Sequence, residues 1–286
     1  MNPVKLEAWL AAHRYLQPLA DFTARVEDVV AEIQTTHPHI PRWEDYAEDY
    51  NAGLPLLQSA NAGVDLEPAG RVSAELVARL AVNSPAGRPK AEASLLNDEL
   101  RLEGEPSRRI ADWLLGDESF LPSAPGLLRY LGWTAAARYL MPLVDAFDRW
   151  RGEDSWLRSY CPTCGSLPAM AQLIGAETAR IRWLSCGLCR SRWRFARTLC
   201  MFCGNDFHRA AAITIQGEAG LRVDHCPSCK GYLKTYDGQG NEDVMLADWT
   251  TLHLDVAAHD RGLVRKAASL YELGALLPAR LETGDR

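Results

Sequence analysis

Four short segments decide the reading: Cys161-Pro-Thr-Cys-Gly165, Cys186-Gly-Leu-Cys189, Cys200-Met-Phe-Cys-Gly204 and Cys226-Pro-Ser-Cys229. All eight cysteines of the 286-residue sequence fall in these Cys-x-x-Cys pairs, and none is left over. Two thiolates separated by two residues grip one ion from a tight turn, a knuckle, and two knuckles complete a tetrahedral Cys₄ site. One such pair is weak evidence, because redox motifs produce it too. Four in succession point to bound metal. Disulfides are the weaker explanation, since the sequence begins with only Lys5 before Glu7 and no apolar signal region. The expected compartment is therefore the cytoplasm.

The spacing contains a duplication. Between the first and second pairs lie 21 residues, between the third and fourth 22, and between the second and third only 10. Superposing the halves shifts the four knuckles by 39, 39, 40 and 40 residues. Both halves open with a knuckle followed by Gly, which can adopt the positive φ that turns backbone amides toward the sulfurs. This predicts two tandem rubredoxin-like or zinc-ribbon-like modules, each with its own ion. Sequential pairing gives one site from Cys161, Cys164, Cys186 and Cys189, and another from Cys200, Cys203, Cys226 and Cys229. A cross-brace, first pair with third and second with fourth, uses the same ligands and stays open. Four thiolates suit zinc and also a mononuclear iron. His208 and His225 stand near the cysteines but are surplus once eight thiolates fill two sites. Strands are expected over Ala179–Leu184, Ser191–Ala196 and Ala210–Ile215.

Charge is uneven along the chain. The net charge is −6, yet residues 158–197 hold seven Arg (158, 180, 182, 190, 192, 194 and 197) against the single acid Glu177. A divalent ion with four thiolates is itself near −2, so neighbouring Arg compensates it. Arg interleaved with Trp183, Trp193 and Phe195 also fits a protein-binding surface, or single-stranded nucleic acid. The first 150 residues carry 14 basic and 22 acidic side chains, which argues against a phosphate-seeking protein.

The flanks read as helices. Leu19, Phe22, Val26, Val29, Val30 and Ile33 keep a helical spacing behind Pro18. Further helices are expected at Ala74–Val82, Ala91–Leu102, Arg108–Leu115 capped by Ser107, Leu127–Trp150, Leu246–Ala258 and Leu263–Leu277. Residues 35–70 and 83–90 read as loops or partly ordered connections, with Glu44, Asp45, Glu48 and Asp49 on a solvated face. The fold class is thus α+β and multidomain. A helical domain (1–155) precedes two Cys₄ modules (156–198 and 199–240) and a C-terminal helical segment (241–286).

With 47% hydrophobic and 24% charged residues, the chain has the composition of a folded protein with a buried core. No run of eighteen apolar residues offers a membrane span. There is no GxSxG, P-loop, HExxH or GxGxxG, and a site filled by four thiolates has no open position for hydrolysis. The expectation is that the protein is not an enzyme.

The stretch from Tyr160-Cys-Pro-Thr-Cys-Gly-Ser166 through Trp183-Leu-Ser-Cys-Gly-Leu-Cys189 and Trp193-Arg-Phe-Ala-Arg-Thr-Leu-Cys200 resembles the formate dehydrogenase accessory protein family, FdhE. The tail Cys226-Pro-Ser-Cys-Lys-Gly-Tyr-Leu-Lys234 and the later Asp248-Trp-Thr-Thr-Leu-His-Leu-Asp255 are similar to the same family. His13-Arg-Tyr-Leu-Gln-Pro-Leu-Ala20 is compatible with it. The resemblance implies a cytoplasmic maturation factor for respiratory formate dehydrogenase, with the catalytic subunit as partner and iron, or chemically as well zinc, on the cysteines. The candidate contact surface is Arg182, Trp183, Trp193 and Arg194. The competing readings are a zinc-ribbon adaptor for nucleic acid or another protein, and a rubredoxin-like electron carrier.

Overall fold

A computed structural model describes residues 2–153, 155–176, 179–206, 211–218 and 220–271. Seven helices come first: α1 (Pro3–Ala12), α2 (Gln17–Glu32), α3 (Trp43–Ala52), α4 (Glu67–Asn83), α5 (Arg88–Leu100), α6 (Pro106–Leu114) and α7 (Pro125–Arg151). Proline stands at the first or second position of α1, α2 and α4 to α7, where its fixed φ suits the helix and its missing N–H costs nothing. Six strands follow: β1 (Met170–Ile174), β2 (Ile181–Ser185), β3 (Arg192–Arg194), β4 (Ala211–Thr214), β5 (Leu221–His225) and β6 (Tyr232–Asp237). Two helices close the described chain, α8 (Glu242–Met245) and α9 (Leu252–His259).

The duplication read from the cysteines is visible in the strands. β4, β5 and β6 start 41, 40 and 40 residues after β1, β2 and β3. Each half is a three-stranded antiparallel meander. The first strand of one half pairs parallel with the last strand of the other, Met170 opposite Lys234 and Leu173 opposite Asp237. The result is one six-stranded sheet in the order β3-β2-β1-β6-β5-β4.

Two apolar cores fill the helical part. One gathers Val26, Val30, Val72, Leu76, Leu96, Ile110, Leu128 and Leu131 between helices. The other runs from Tyr46, Tyr50, Leu140, Leu143 and Phe147 directly into Trp156, Cys161, Leu184, Cys186, Cys189 and Trp193. The first cysteine cluster is therefore built into the helical core. A third core, with Leu221, Val223, Tyr232, Tyr236, Leu254 and Ala258, joins the second half of the sheet to α9.

Several sequence expectations need correction. Residues 35–70 are not a loop throughout: α3 forms inside them. Its Tyr46 and Tyr50, one helical turn apart, bury against Phe147. Trp43 stacks on Trp150 at 5.3 Å, and Glu44, Asp45 and Glu48 face outward as expected, whereas Asp49 is half-buried and accepts from Ser59 and Asn61. Glu44 and Asp45 sit in the first turn, where the helix dipole favours them. Ser107 does not cap α6, because Pro106 already occupies its first turn and Glu105 stands at the cap without a side-chain bond. The helix expected at Leu246–Ala258 divides in two. Asp248–Thr251 forms a 3₁₀ turn before α9, as the Thr250 hydroxyl bonds the carbonyls of Val244 and Ala247 and that of Thr251 bonds Asp248. Residues 263–271 are extended or bent, with Val264 bridged to Gly231, and the remainder of the helix expected to Leu277 lies outside the described residues. His208 also lies outside them.

Two segments singled out in the sequence meet in one buried ionic cluster. The Lys234 ammonium on β6 contacts Asp248 Oδ1 at 2.5 Å and Asp255 Oδ2 at 2.7 Å. Arg265 reaches both carboxylates, the Tyr232 hydroxyl donates to Asp255, and the Ser269 hydroxyl donates to Asp248. This fastens α9 and the preceding turn against the middle of the sheet.

Candidate metal centres

Each knuckle folds by the same local rule. The N–H of the first cysteine donates to the carbonyl five residues on: Cys161 to Ser166, Cys186 to Ser191, Cys200 to Asn205 and Cys226 to Gly231, at 2.8–2.9 Å. The residue after the second cysteine has positive φ. Gly165 (81°) and Gly204 (73°) take it freely, as the sequence suggested, while Arg190 (66°) and Lys230 (57°) take it against the usual preference of L-residues.

The eight sulfurs gather sequentially into two groups, Cys161, Cys164, Cys186 and Cys189, and Cys200, Cys203, Cys226 and Cys229. The cross-brace is excluded by this arrangement. In the first group Cys161 Sγ lies 3.4 Å from Cys189 Sγ and Cys164 Sγ 3.5 Å from Cys186 Sγ. In the second the corresponding distances are 3.9 Å and 3.8 Å. Disulfide sulfurs would stand about 2.0 Å apart. Metal–sulfur bonds of about 2.3 Å in a tetrahedron place the sulfurs about 3.8 Å apart. Both groups therefore fit a single tetrahedral ion, the second without adjustment and the first with a slight expansion. The donor set is four thiolates, which suits zinc or mononuclear iron.

The two centres differ in their surroundings. In the first, Cys161, Cys186 and Cys189 are buried in the helical core. The N–H groups of Leu56 and Leu57 donate to Pro162 and Thr163 on the first knuckle, so the segment after α3 lies across the site. In the second, Cys203 is exposed and Cys229 half-buried, with Phe202 as the adjacent apolar cover.

Hydroxyl groups also separate the two. Ser166 Oγ sits 3.2 Å from Cys164 Sγ and 3.1 Å from Cys186 Sγ, and Ser191 Oγ 3.3 Å from Cys189 Sγ. Thr163 and Ser191 bond each other at 2.7 Å. The positions equivalent to Ser166 and Ser191 in the second centre are Asn205 and Gly231. These hydroxyls were missed in the sequence. The available signal was a serine two residues after each of the first two knuckles.

Burial pushes the thiols of Cys161 and Cys189 well above their ordinary range. At Cys186 burial also opposes ionisation, but bonds from Cys161, Cys164, Cys189 and Ser166 outweigh it and hold the thiol well below that range. In the second centre burial pushes Cys200 up to about 12. At Cys226 the N–H groups of Cys229 and Ser228, with Cys200 and Cys203, overcome burial and bring it down to about 7. Each cluster thus favours one thiolate, the start of the deprotonation that binding an ion completes.

The four residues expected at a contact surface do not share one. Trp193 is wholly buried, its indole N–H donating to Arg158 O, and Arg182 is buried with its guanidinium on the carbonyls of Ala196 and Leu199. Of their neighbours, Arg192 donates to Gln172 Oε1 and Arg180 pairs with Asp237. Trp183 and Arg194 remain half-buried on the paired strands β2 and β3. His225, on β5, belongs to neither sulfur group. No helix of the described chain is long and apolar enough to cross a membrane.

Residues 160–197, which hold the first cluster complete, match the family model described as "FdhE, central domain". The chain is similar to FdhE proteins over this segment. A "Protein FdhE homolog" of Pseudomonas aeruginosa is 35% identical over 122 residues, 40% of this chain and 39% of that protein. One of Aquifex aeolicus is 30% identical over 133 residues, 44% of this chain and 47% of that protein. The matched stretch thus spans less than half the length of these FdhE homologs. The crystal structure of the FdhE protein from Pseudomonas aeruginosa superposes with a TM-score of 0.60 at 24% identity, covering 90% of this chain and 88% of that one. The fold of that protein is therefore shared over most of both chains, and the family-model match lies on the segment holding the first four cysteines.

Proposed function

We propose that this chain is an accessory factor in the maturation of formate dehydrogenase, carrying two mononuclear iron or zinc ions and contacting the catalytic subunit of that enzyme. The observation that best supports this reading is the FdhE family match over the segment holding one complete tetrathiolate cluster. In this reading residues 1–155 are a helical scaffold, 156–198 and 199–240 the two ion-holding modules, and 241–286 the closing segment. On the same reading the protein is not an enzyme, and neither cysteine centre is catalytic, because four thiolates per ion leave no position for a substrate. It works in the cytoplasm, where cysteines stay reduced.

With Trp193 and Arg182 inside, contact with the subunit falls to the exposed rim of the second centre around Cys203 and to Trp183 and Arg194. The test is co-purification of the catalytic subunit with tagged full-length protein. Wild type retains the subunit, and Trp183→Ala combined with Arg194→Glu weakens retention without loss of either ion. Absence of the subunit from the wild-type preparation contradicts the proposal.

The exposure of Cys203 favours one second reading, a rubredoxin-like electron carrier. It requires iron and a reversible ferric-thiolate spectrum in the visible range. A colourless protein with zinc in both centres ends it.

A further inference from the structure

A third convergence of ligand atoms lies away from both cysteine clusters. His13 follows α1, Glu218 stands in the turn between β4 and β5, and His253 is in the first turn of α9. His13 Nε2 is 3.0 Å from Glu218 Oε1, and His253 Nε2 is 2.6 Å from Glu218 Oε2. One ligand atom from each residue lies within 4.8 Å of the others. The three side chains are only 12%, 9% and 15% exposed. The imidazoles stack at 5.0 Å, Trp9 covers His13 at 3.9 Å, and the Trp9 indole is fixed by its bond to Thr250 O.

The proton positions are constrained. His13 Nδ1 lies 3.0 Å from the carbonyl of Trp9, which only accepts, so Nδ1 carries a hydrogen. A neutral His13 then points the lone pair of Nε2 at a carboxylate, which is repulsive. Protonating it makes an ion pair, but protonating both histidines stacks two cations around one carboxylate. Leaving His253 neutral with Nε2–H toward Glu218 satisfies that one pair and leaves the His13 lone pair against the carboxylate; its Nδ1, buried with no hydrogen-bond partner among the described residues, is unsatisfied in either tautomer. A cation between the three groups instead uses both Nε2 lone pairs and the carboxylate together.

We infer that His13, Glu218 and His253 form a third metal site, for a divalent first-row transition ion held by two imidazoles and a carboxylate. Nitrogen and oxygen ligands at about 2.0–2.2 Å suit zinc(II) or iron(II), whereas magnesium and calcium prefer all-oxygen shells. The hydrogen bond from His13 Nδ1 to Trp9 O is the outer contact that aims Nε2 at such an ion. Three protein ligands leave further positions to water, unlike the cysteine centres. The ion would clasp the N-terminal helix to the second half of the sheet and to α9, segments more than 200 residues apart in the chain.

The test uses full-length protein with both cysteine centres filled by zinc, dialysed against cobalt(II). The expected result is a third ion per chain whose spectrum lacks thiolate-to-cobalt charge transfer, together with a higher melting temperature. Glu218→Gln and His253→Gln each weaken the third ion by at least about tenfold. Two zinc ions retained per chain show that a variant is folded, and His253→Gln decides should Glu218→Gln fail to retain them. Zinc-filled protein that takes up no third ion overturns the inference, as does a folded variant that binds cobalt(II) like wild type; the histidines and Glu218 are then an ion-paired cluster only.

Discussion

Lys234 Nζ lies 2.7 Å from Asp255 Oδ2 with both side chains shut off from solvent, so one buried ion pair joins β6 to α9. Asp248 and Arg265 complete a set of two cations and two anions. Breaking a buried pair from one side leaves an uncompensated charge, which typically costs about 3–5 kcal/mol. Asp255→Asn is therefore expected to destabilise the metal-loaded protein by roughly that amount in urea denaturation. A shift under about 1 kcal/mol would show that water reaches Lys234 and screens it.

The same cluster sets an acid limit. Burial opposes ionisation of Asp248, but Lys234 and Arg265 outweigh it and hold its carboxyl below the usual range. A carboxyl depressed in the folded state contributes stability above its unfolded pKa of about 3.9 and loses it as pH falls toward the lower folded value. The gap in stability between wild type and Asp248→Asn should be full at neutral pH and narrow below about pH 4. A gap that stays constant down the acid limb would place the effect elsewhere.

The knuckle glycines separate two costs. Gly204 has φ of 73° with open space beside it, so Gly204→Ala meets only the left-handed penalty, about 1 kcal/mol. A Cβ at Gly165 (φ 81°) would also stand 2.5 Å from Gln58 Nε2 and 3.1 Å from Pro55 Cγ. Gly165→Ala should cost more, about 2 kcal/mol, and loosen the segment over the first centre. Equal melting shifts for the two variants would show that the Pro55–Gln58 segment moves aside freely.

The centres should part company under a chelator. Cys203 is exposed, while three of the four ligands of the first centre are buried under the helical core. One ion per chain is expected to leave quickly and the other slowly, at a rate that follows global unfolding. Cys203→Ser removes the fast ion alone, and Cys161→Ser removes the slow one along with the packing around Tyr46 and Trp193. Simultaneous loss of both ions would contradict this asymmetry.

Much of this was legible in the residues. Knuckle spacing carried the eight candidate ligands and the duplication, because chelation imposes a local geometry that tertiary packing does not override; alternation pointed to β2, β3 and β4, while β1, β5 and β6 were not anticipated. The pairing needed coordinates, since both arrangements use the same cysteines. Helix α3 was hidden by its charges: Glu44, Asp45, Glu48 and Asp49 read as a solvated loop, and the Trp43, Tyr46, Tyr50 stripe beneath them was overlooked. The burial of Trp193 and Arg182 was not readable, because alternation along a strand does not say which face a second layer covers. For Trp193 that layer is the helical core around Phe147 and Trp156, whereas Arg182 is held by the carbonyls of Ala196 and Leu199. Nor could spacing foretell that β1 and β6 join parallel, as their partners are 64 residues apart in the chain.

A maturation role is decided by deleting the gene in its own host and measuring formate dehydrogenase activity, with the catalytic subunit quantified in parallel. Activity is expected to be lost while the subunit persists, and to be restored by the wild-type gene but not by one carrying Cys203→Ser with Cys226→Ser. Unchanged activity in the deletion strain would contradict that role.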